Sequence, residues 1–259
     1  MSAPDFAAVV LAAGLGNRLR PLTEVLPKPL CPVNLVPLVD LAIAHVRTVA
    51  IDVAVNVHHH RTRMEEHLSG AAVHVSIEEA EPLGTAGAIG NLRGWIDGRS
   101  TVIHNSDAWH GAEIDRLLRA NWDGERIRLL TVSARPGLAD FDDGSTFAGV
   151  SLMPWRDVER LEPVPSGLWE VSWREATCDG RVERVHYDGP WFDTGTPSSY
   201  LAANLAANDG RSVVAPDAAV EGDAEVVRSV VWAGATVGAG ERLIEQIRIP
   251  GPITVDAPQ

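Results

Sequence analysis

The sequence predicts an α/β protein: a Rossmann-like mixed, mainly parallel sheet flanked by helices, with a short C-terminal left-handed β-helix. Three observations carry this prediction. Apolar runs alternate with helical patterns through the first half of the chain, a glycine-rich turn follows the first run, and apolar residues recur every six positions near the end. In chain order, Phe6 to Leu11 reads as a buried strand, and Val53 to Val57, Val73 to Ile77, Thr101 to His104 and Ile127 to Val132 as further short strands. Helical patterns fall between them at Leu38 to Val49, Arg61 to Leu68, Gly87 to Trp95 and Ile114 to Asn121. Strands separated by helices of this length imply βαβ units. Ligands of such sheets bind beyond the carboxyl ends of the strands, so the loops after Leu11, Ile77 and His104 are expected to converge. Residues Thr146 to Tyr187 carry short β-like runs and turns and suit a lobe over a second substrate, and a helix from Ser198 to about Asn208 closes the domain.

The tail differs. Val214, Val220, Val226 and Trp232 recur at a period of six, with Gly234 to Gly240 embedded in the run. Hexapeptide periodicity marks a left-handed parallel β-helix, which predicts that these four residues point inward. About two coils cannot bury much core alone. The tail is therefore expected to pack on the rest of the chain or on another copy, which offers a route to a homo-oligomer. The predicted domains are 1–209, catalytic, and 210–259, the tail.

Composition limits the function classes. The formal net charge of −13 argues against nonspecific nucleic-acid binding and against an anionic membrane surface. Hydrophobic content of 45% and charged content of 22% are ordinary for a globular enzyme. Met1 to Asp5 lacks the basic and apolar regions of a signal peptide, and no apolar run reaches membrane-spanning length. Cys31 and Cys178 lie far apart without metal-ligand spacing and are expected to be reduced thiols. These features together predict a cytoplasmic protein.

The chain holds one lysine, Lys28, and every other basic side chain is arginine or histidine. It follows Leu11-Ala12-Ala13-Gly14-Leu15-Gly16-Asn17-Arg18-Leu19-Arg20-Pro21-Leu22-Thr23 and sits in Pro27-Lys28-Pro29-Leu30. Arginine cannot replace a compact ammonium in a tight pocket. Gly14 and Gly16 let the backbone approach a ligand and leave amides pointing outward. Glycine amides, Arg18 and Lys28 within fifteen residues describe a polyphosphate site. A dinucleotide fingerprint needs a third glycine where Leu19 stands, and a Walker A loop needs Gly-Lys-Ser/Thr, so both of those readings fail.

The remaining pattern, Gly-x-Gly-x-Arg-Leu-x-Pro-Leu-Thr followed by Pro-Lys-Pro-Leu, resembles the sugar-1-phosphate nucleotidyltransferases, or NDP-sugar pyrophosphorylases. The resemblance implies catalytic roles for Arg18 and Lys28 and nucleotide contacts from Leu11, Ala12, Ala13, Gly14, Gly16 and Asn17. Three further blocks extend it. Pro82-Leu83-Gly84-Thr85-Ala86-Gly87 resembles the segment that contacts the base, which assigns Gly84, Thr85 and Ala86, with Thr85 as candidate helix N-cap. Asp107, after the strand Thr101 to His104, and Asp193, in Trp191-Phe192-Asp193-Thr194-Gly195-Thr196-Pro197, match the family's two metal ligands and imply Mg²⁺. Thr196 before Pro197 is also a good N-cap for the helix that follows. Gly149 matches the place where the family presents an amide to the sugar phosphate.

One departure stands out. Many members of the family carry a Glu-Lys-Pro segment whose lysine grips the sugar phosphate, and a chain with one lysine cannot. Arg135 is one replacement; Mg²⁺ with Lys28 is another. The muramic-acid-1-phosphate uridylyltransferases also lack that lysine. Three consecutive side chains cannot converge on one ion from a strand or helix, so His58-His59-His60 is read as solvated or packed. The eight tryptophans are read as core and sugar-platform surfaces. The expected reaction joins an NTP and a sugar 1-phosphate into an NDP-sugar and pyrophosphate. The Pro-Leu-Gly-Thr-Ala-Gly run resembles mannose-1-phosphate guanylyltransferases and places GTP slightly ahead of UTP and dTTP. Two alternatives stay open: a sugar-nucleotide-sensing regulatory subunit, and a nucleotidyltransferase with a non-sugar acceptor.

Overall fold

In the computed structural model, which describes residues 6–251 and 253–257, the Phe6–Leu11 strand lies parallel to Asp52–Val57 on one side and to Ser100–Asn105 on the other. The Met1 to Asp5 stretch falls outside the described residues. By internal contacts the chain divides into two units. The first holds the described residues up to Gly14 together with Val39–Gly189; the second holds Leu15–Leu38 and everything from Pro190 onward. The helix Pro197–Ala207 thus groups with the tail rather than with the segment before residue 209.

The first unit is built on a seven-stranded sheet in the spatial order Val182–His186, Ile127–Ser133, Ser145–Met153, Ser100–Asn105, Phe6–Leu11, Asp52–Val57, His74–Ile77. Only Ser145–Met153 runs antiparallel, against Ser100–Asn105 and Ile127–Ser133. Apolar residues pointing to one face, among them Ala7, Val9, Ile103, Leu129 and Met153, meet Ile89, Leu92 and Ile96 of the helix Gly84–Ile96. Those three sit at helical spacing on one stripe, which is why this stretch buries as a helix.

Two expectations need correction here. Residues 155–178 are not a run of β segments. They form the helical turn Trp155–Val158, a wide turn at Trp169–Trp173 and the helix Arg174–Cys178. Leu168, Trp173 and Ala176 fill the same core, so tertiary burial overrides the β-like composition. The helix expected to start at Gly87 starts at Gly84, so Thr85 lies inside it and is not its N-cap.

The second unit contains a three-faced coil of short parallel strands. Val213 pairs with Val230 and Val230 with Ile247, while Ala219 pairs with Thr236 and Glu225 with Arg242. Each pairing joins residues 17 positions apart, so every coil is one short of three sixes. The missing residue is taken at the tight corner where Arg228 and Glu245 both adopt left-handed backbone and pair with each other at 3.1 Å. Ile253–Asp256 closes the stack antiparallel to Gln246–Ile249.

The inward set also differs from the simple period. Val214, Val220 and Val226 stand in register with Val231, Val237 and Leu243, which form the coil's core. No coil lies beyond the first, so Val214 remains 37% and Val220 40% exposed. Trp232 is buried, but it points at the preceding helix: its Nε1 donates to the Tyr200 hydroxyl at 3.0 Å. Tyr200 is fully buried and donates to the Pro32 carbonyl. The short coil therefore gains its support from the helix Pro197–Ala207, as its size requires. Among the described residues no helix is long and apolar enough to cross a membrane.

Candidate active site

In the first unit the loops at the carboxyl ends of the central strands are tied together by hydrogen bonds. Ser106 donates its amide to the Leu11 carbonyl at 3.0 Å, joining the turn that carries Asp107 to the end of the first strand. Ala12 donates its amide to Asn56 Oδ1 at 2.7 Å, and Asn56 Nδ2 donates to Glu78 Oε1 at 2.7 Å. Glu78 Oε2 in turn accepts from the Leu83 amide at 2.8 Å. A buried relay thus links the glycine-rich turn to the Pro82–Gly87 segment, and the convergence expected of these loops is present.

Asn56 and Glu78 were missed at the level of motifs. The available signal was a polar side chain, Asn56, inside the apolar run 53–57 and an acid directly after Ile77. Buried polar groups of this kind persist only when hydrogen-bonded.

The glycines of the Gly84–Ile96 helix have a packing reason. A Cβ at Gly84 or Gly87 would come under 3.0 Å from the backbone of Ser166 or Val164, and one at Gly90 would meet Glu162. The three form a groove, spaced one turn apart, in which the 162–166 backbone lies. Thr85 Oγ1 accepts from the Leu168 amide at 2.9 Å, and Ala86 donates its amide to the Ser166 carbonyl at 3.0 Å. The side chains of Ala12, Ala13 and Ala86 are buried, whereas Gly14, in the glycine-rich loop, and Gly84, at the start of its helix, are exposed. Gly149 also answers to space: a Cβ there would come within 2.5 Å of Ala108. Asp107 is half-buried in the turn after Ser100–Asn105. Arg135 lies exposed in the loop before Ser145.

The second unit brings together three of the residues singled out in the sequence. Gly16 is left-handed, with φ of 65°, and begins the turn Asn17–Leu19 that carries Arg18. Its carbonyl accepts from the Leu19 amide at 3.0 Å and from Thr23 Oγ1 at 3.1 Å. A Cβ at this position would lie 3.0 Å from Lys28 Cβ, so glycine lets the Lys28 stem pass close by. Arg18 Nη2 donates to Asp193 Oδ2 at 3.3 Å, and Lys28 Nζ lies 3.8 Å from Asp193 Oδ1. Lys28 is 9% exposed, Arg18 68% and Asp193 45%. The Gly195 amide donates to Asp193 Oδ1 at 2.9 Å, and a Cβ on Gly195 would strike the Arg18 guanidinium. One carboxylate is therefore clasped by an exposed guanidinium, a nearly enclosed ammonium and a backbone N–H. Thr196 caps the next helix as expected: its Oγ1 accepts from the Ser199 amide at 3.3 Å.

Comparison with known proteins identifies the family. The Nucleotidyl transferase family profile matches residues 7–137. N-acetylmuramate alpha-1-phosphate uridylyltransferase of Caulobacter vibrioides is 30% identical over 236 residues, covering 78% of this chain and 97% of that protein. Mannose-1-phosphate guanylyltransferase of Mycobacterium tuberculosis is 26% identical over 285 residues, covering 94% and 79%. A Bacillus anthracis structure provisionally named as a glucose-1-phosphate thymidylyltransferase superposes with a TM-score of 0.67 at 20% identity, over 79% of this chain and 96% of that one, which bears on fold alone. The chain belongs to the Nucleotidyl transferase family and is an enzyme of its sugar-1-phosphate nucleotidyltransferase branch.

Proposed function

We propose that the chain transfers a nucleotidyl group from an NTP to a sugar 1-phosphate, with Arg18 and Lys28 as the catalytic cations. The observation that carries this reading is the clasp on Asp193, two cations of different shape fixed at a glycine-rich turn. An oxygen of the sugar phosphate attacks the α-phosphorus, the bond from that phosphorus to the pyrophosphate oxygen breaks, and pyrophosphate leaves. No protein nucleophile is needed, so catalysis rests on positioning and on neutralising charge. Arg18, the exposed cation, takes the triphosphate and leaving group. Lys28, enclosed, neutralises the attacking phosphate and the α-phosphate.

Leu11, Ala12, Ala13, Gly14, Gly16, Asn17, Gly84, Thr85 and Ala86 seat the nucleotide, and Gly149 offers its backbone to the sugar phosphate. Because the Ala12 and Ala86 amides are committed to Asn56 and Ser166, their part is to set loop shape rather than to donate, whereas Thr85 accepts from the Leu168 amide and keeps its hydroxyl proton to donate. Asp107 and Asp193 present carboxylate oxygens, the hard donors that Mg²⁺ takes, so their chemistry fits the ion. Asp107 and Asp193 would hold the ion, whose chemistry would be neutralisation of phosphate charge. The catalytic segment is 1–209, which holds every residue named here, with 210–259 as the tail. The exposed ring of Val214 and Val220 at the open end of the coil supports homo-oligomerisation through that tail. The NTP substrate and the two free thiols, Cys31 and Cys178, favour the cytoplasm.

For the base, GTP is the first reading, from the Pro82–Gly87 run. UTP is the second, favoured by the lone lysine and by the 30%-identical uridylyltransferase. A matrix of NTPs against sugar 1-phosphates, read by pyrophosphate release, tests all of this. One productive pair is expected, and no release from any pair would refute the reaction.

A further inference from the structure

Three histidines that the proposed reaction does not use come together in the first unit. His45 lies in the last turn of the helix Leu38–Val46, His104 on the strand Ser100–Asn105, and His110 at the end of Ala108–His110. His45 Nδ1 is 3.4 Å from His104 Nε2, which is 3.1 Å from His110 Nε2, and one ring nitrogen from each lies within 4.8 Å of the others. Two nitrogens bound at about 2.0–2.1 Å to a tetrahedral ion stand about 3.3 Å apart, so both spacings already match a shared ion. We propose that His45, His104 and His110 bind one transition-metal ion of the zinc class, distinct from the Mg²⁺ of the reaction.

The surroundings suit such an ion. His104 Nδ1 donates to the Asn105 carbonyl at 2.9 Å, which leaves Nε2 as a lone pair aimed at the centre of the cluster. Burial, reinforced by the neighbouring imidazoles, pushes His104 down to about 3 and His110 to about 2, and burial lowers His45 as well. All three are therefore neutral bases at physiological pH, the form a metal ligand needs. His45 also borders an open depression of about 360 Å³ whose lining includes Glu113, Asp115 and Arg116, an opening through which an ion and a water for the fourth position can reach the cluster. Imidazole nitrogens select zinc-class ions over Mg²⁺, which prefers oxygen.

One feature of the metal-free cluster works against binding. The Ala112 amide donates to His110 Nδ1 at 3.2 Å, so His110 carries its proton on Nε2 and donates it to His104. Binding moves that proton to Nδ1 and turns the ring away from Ala112, giving up both hydrogen bonds of His110 for a metal–nitrogen bond. His104 and His110 also flank the turn that carries Asp107. A bound ion would pin both ends of that turn, a consequence that rests on the proposed role of Asp107, whereas the binding does not.

The test uses full-length protein stripped with a chelator and titrated with Zn²⁺ by calorimetry and with Co²⁺ by visible absorption. One ion per chain is expected, with the intense d–d bands of tetrahedral Co²⁺ and a rise in melting temperature. His45→Ala should weaken binding more than tenfold and lose those bands. Changing His58, His59 and His60 together to alanine should leave both unchanged. Proton NMR of the Co²⁺-loaded wild type should show three shifted imidazole N–H signals, a readout that needs no variant to fold. Absence of stoichiometric binding, or binding that survives His45→Ala and vanishes in the His58–His60 variant, would overturn the proposal.

Discussion

Glu78→Gln isolates the relay between the two nucleotide loops without changing its shape. Each end of the relay is a backbone N–H, from Ala12 and from Leu83. Asn56 has one acceptor and one donor end, so accepting from Ala12 through Oδ1 commits it to donating to residue 78 through Nδ2. The residue at 78 must then accept at both of its oxygens, which a carboxylate does and a carboxamide cannot. In Glu78→Gln one donor in the chain faces another donor, and flipping Asn56 only moves the mismatch to Ala12. Glu78 is 3% and Asn56 3% exposed, so water cannot repair it. One buried unsatisfied donor costs about 1–3 kcal/mol. Urea denaturation should therefore show a lower midpoint with an unchanged slope. The KM for NTP should rise more than kcat falls, because a loop loosens while Arg18 and Lys28 remain. Asn56→Ala combined with Glu78→Gln should cost clearly less than the sum of the two single changes. A Glu78→Gln protein within about 0.5 kcal/mol of wild type, with the same KM, would refute the reasoning.

Three further outcomes are expected. Lys28→Ala should lower kcat/KM by far more than the tenfold that corresponds to about 1.4 kcal/mol, and Lys28→Arg should rescue little of it; turnover within tenfold of wild type would remove the role. Gly87→Ala should destabilise by about 1–3 kcal/mol because its Cβ meets the Val164 carbonyl, whereas Gly94→Ala, with open space around it in the same helix, should be neutral or stabilising by up to about 1 kcal/mol. Burial pushes the Cys31 thiol up to about 12 from 9.0, with Lys28 pulling weakly the other way. A thiol reagent at mildly alkaline pH should therefore label exposed Cys178 and spare Cys31 until the protein is denatured. Above pH 9 the unfolded chain sheds that proton while the folded chain keeps it, so stability should fall as pH climbs from 9 towards 12.

The longer strands and helices of the first 130 residues were legible because each depends on its own apolar pattern, whereas short elements such as Leu22–Val25 and Ala108–His110 were not read. The direction of Ser145–Met153 was not, since a buried central strand reads the same whether it runs parallel or antiparallel. The helical character of 155–178 was hidden because Trp173 and Ala176 gain their burial from a helix far away in sequence. Arg18, Lys28 and Asp193 were found through spacing and resemblance, and they do meet. Gly84 was read as a base contact from its motif; that it and Gly87 also make room for the backbone of Ser166 and Val164 is something no motif reveals. The tail's inward column was placed correctly at Val226; at Val214 and Val220 the column continues to an open end that a periodic pattern cannot mark.

Asp193 carries two roles that one substitution would confound. In the free enzyme it holds Arg18 through Oδ2 and faces Lys28 and the Gly195 amide through Oδ1. Asp193→Asn keeps an acceptor for Gly195 but removes the charge that sets the two cations, so activity loss alone does not assign metal ligation. Two readouts separate the roles. If Asp193 ligates Mg²⁺, the variant should need a much higher Mg²⁺ concentration for half-maximal rate, and Mn²⁺, which accepts nitrogen and amide ligands more readily, should restore part of it. If it only positions the cations, the Mg²⁺ dependence should stay where it was while the KM for NTP changes. An unshifted Mg²⁺ dependence would therefore remove Asp193 from the metal and leave it as the clasp that orients Arg18 and Lys28.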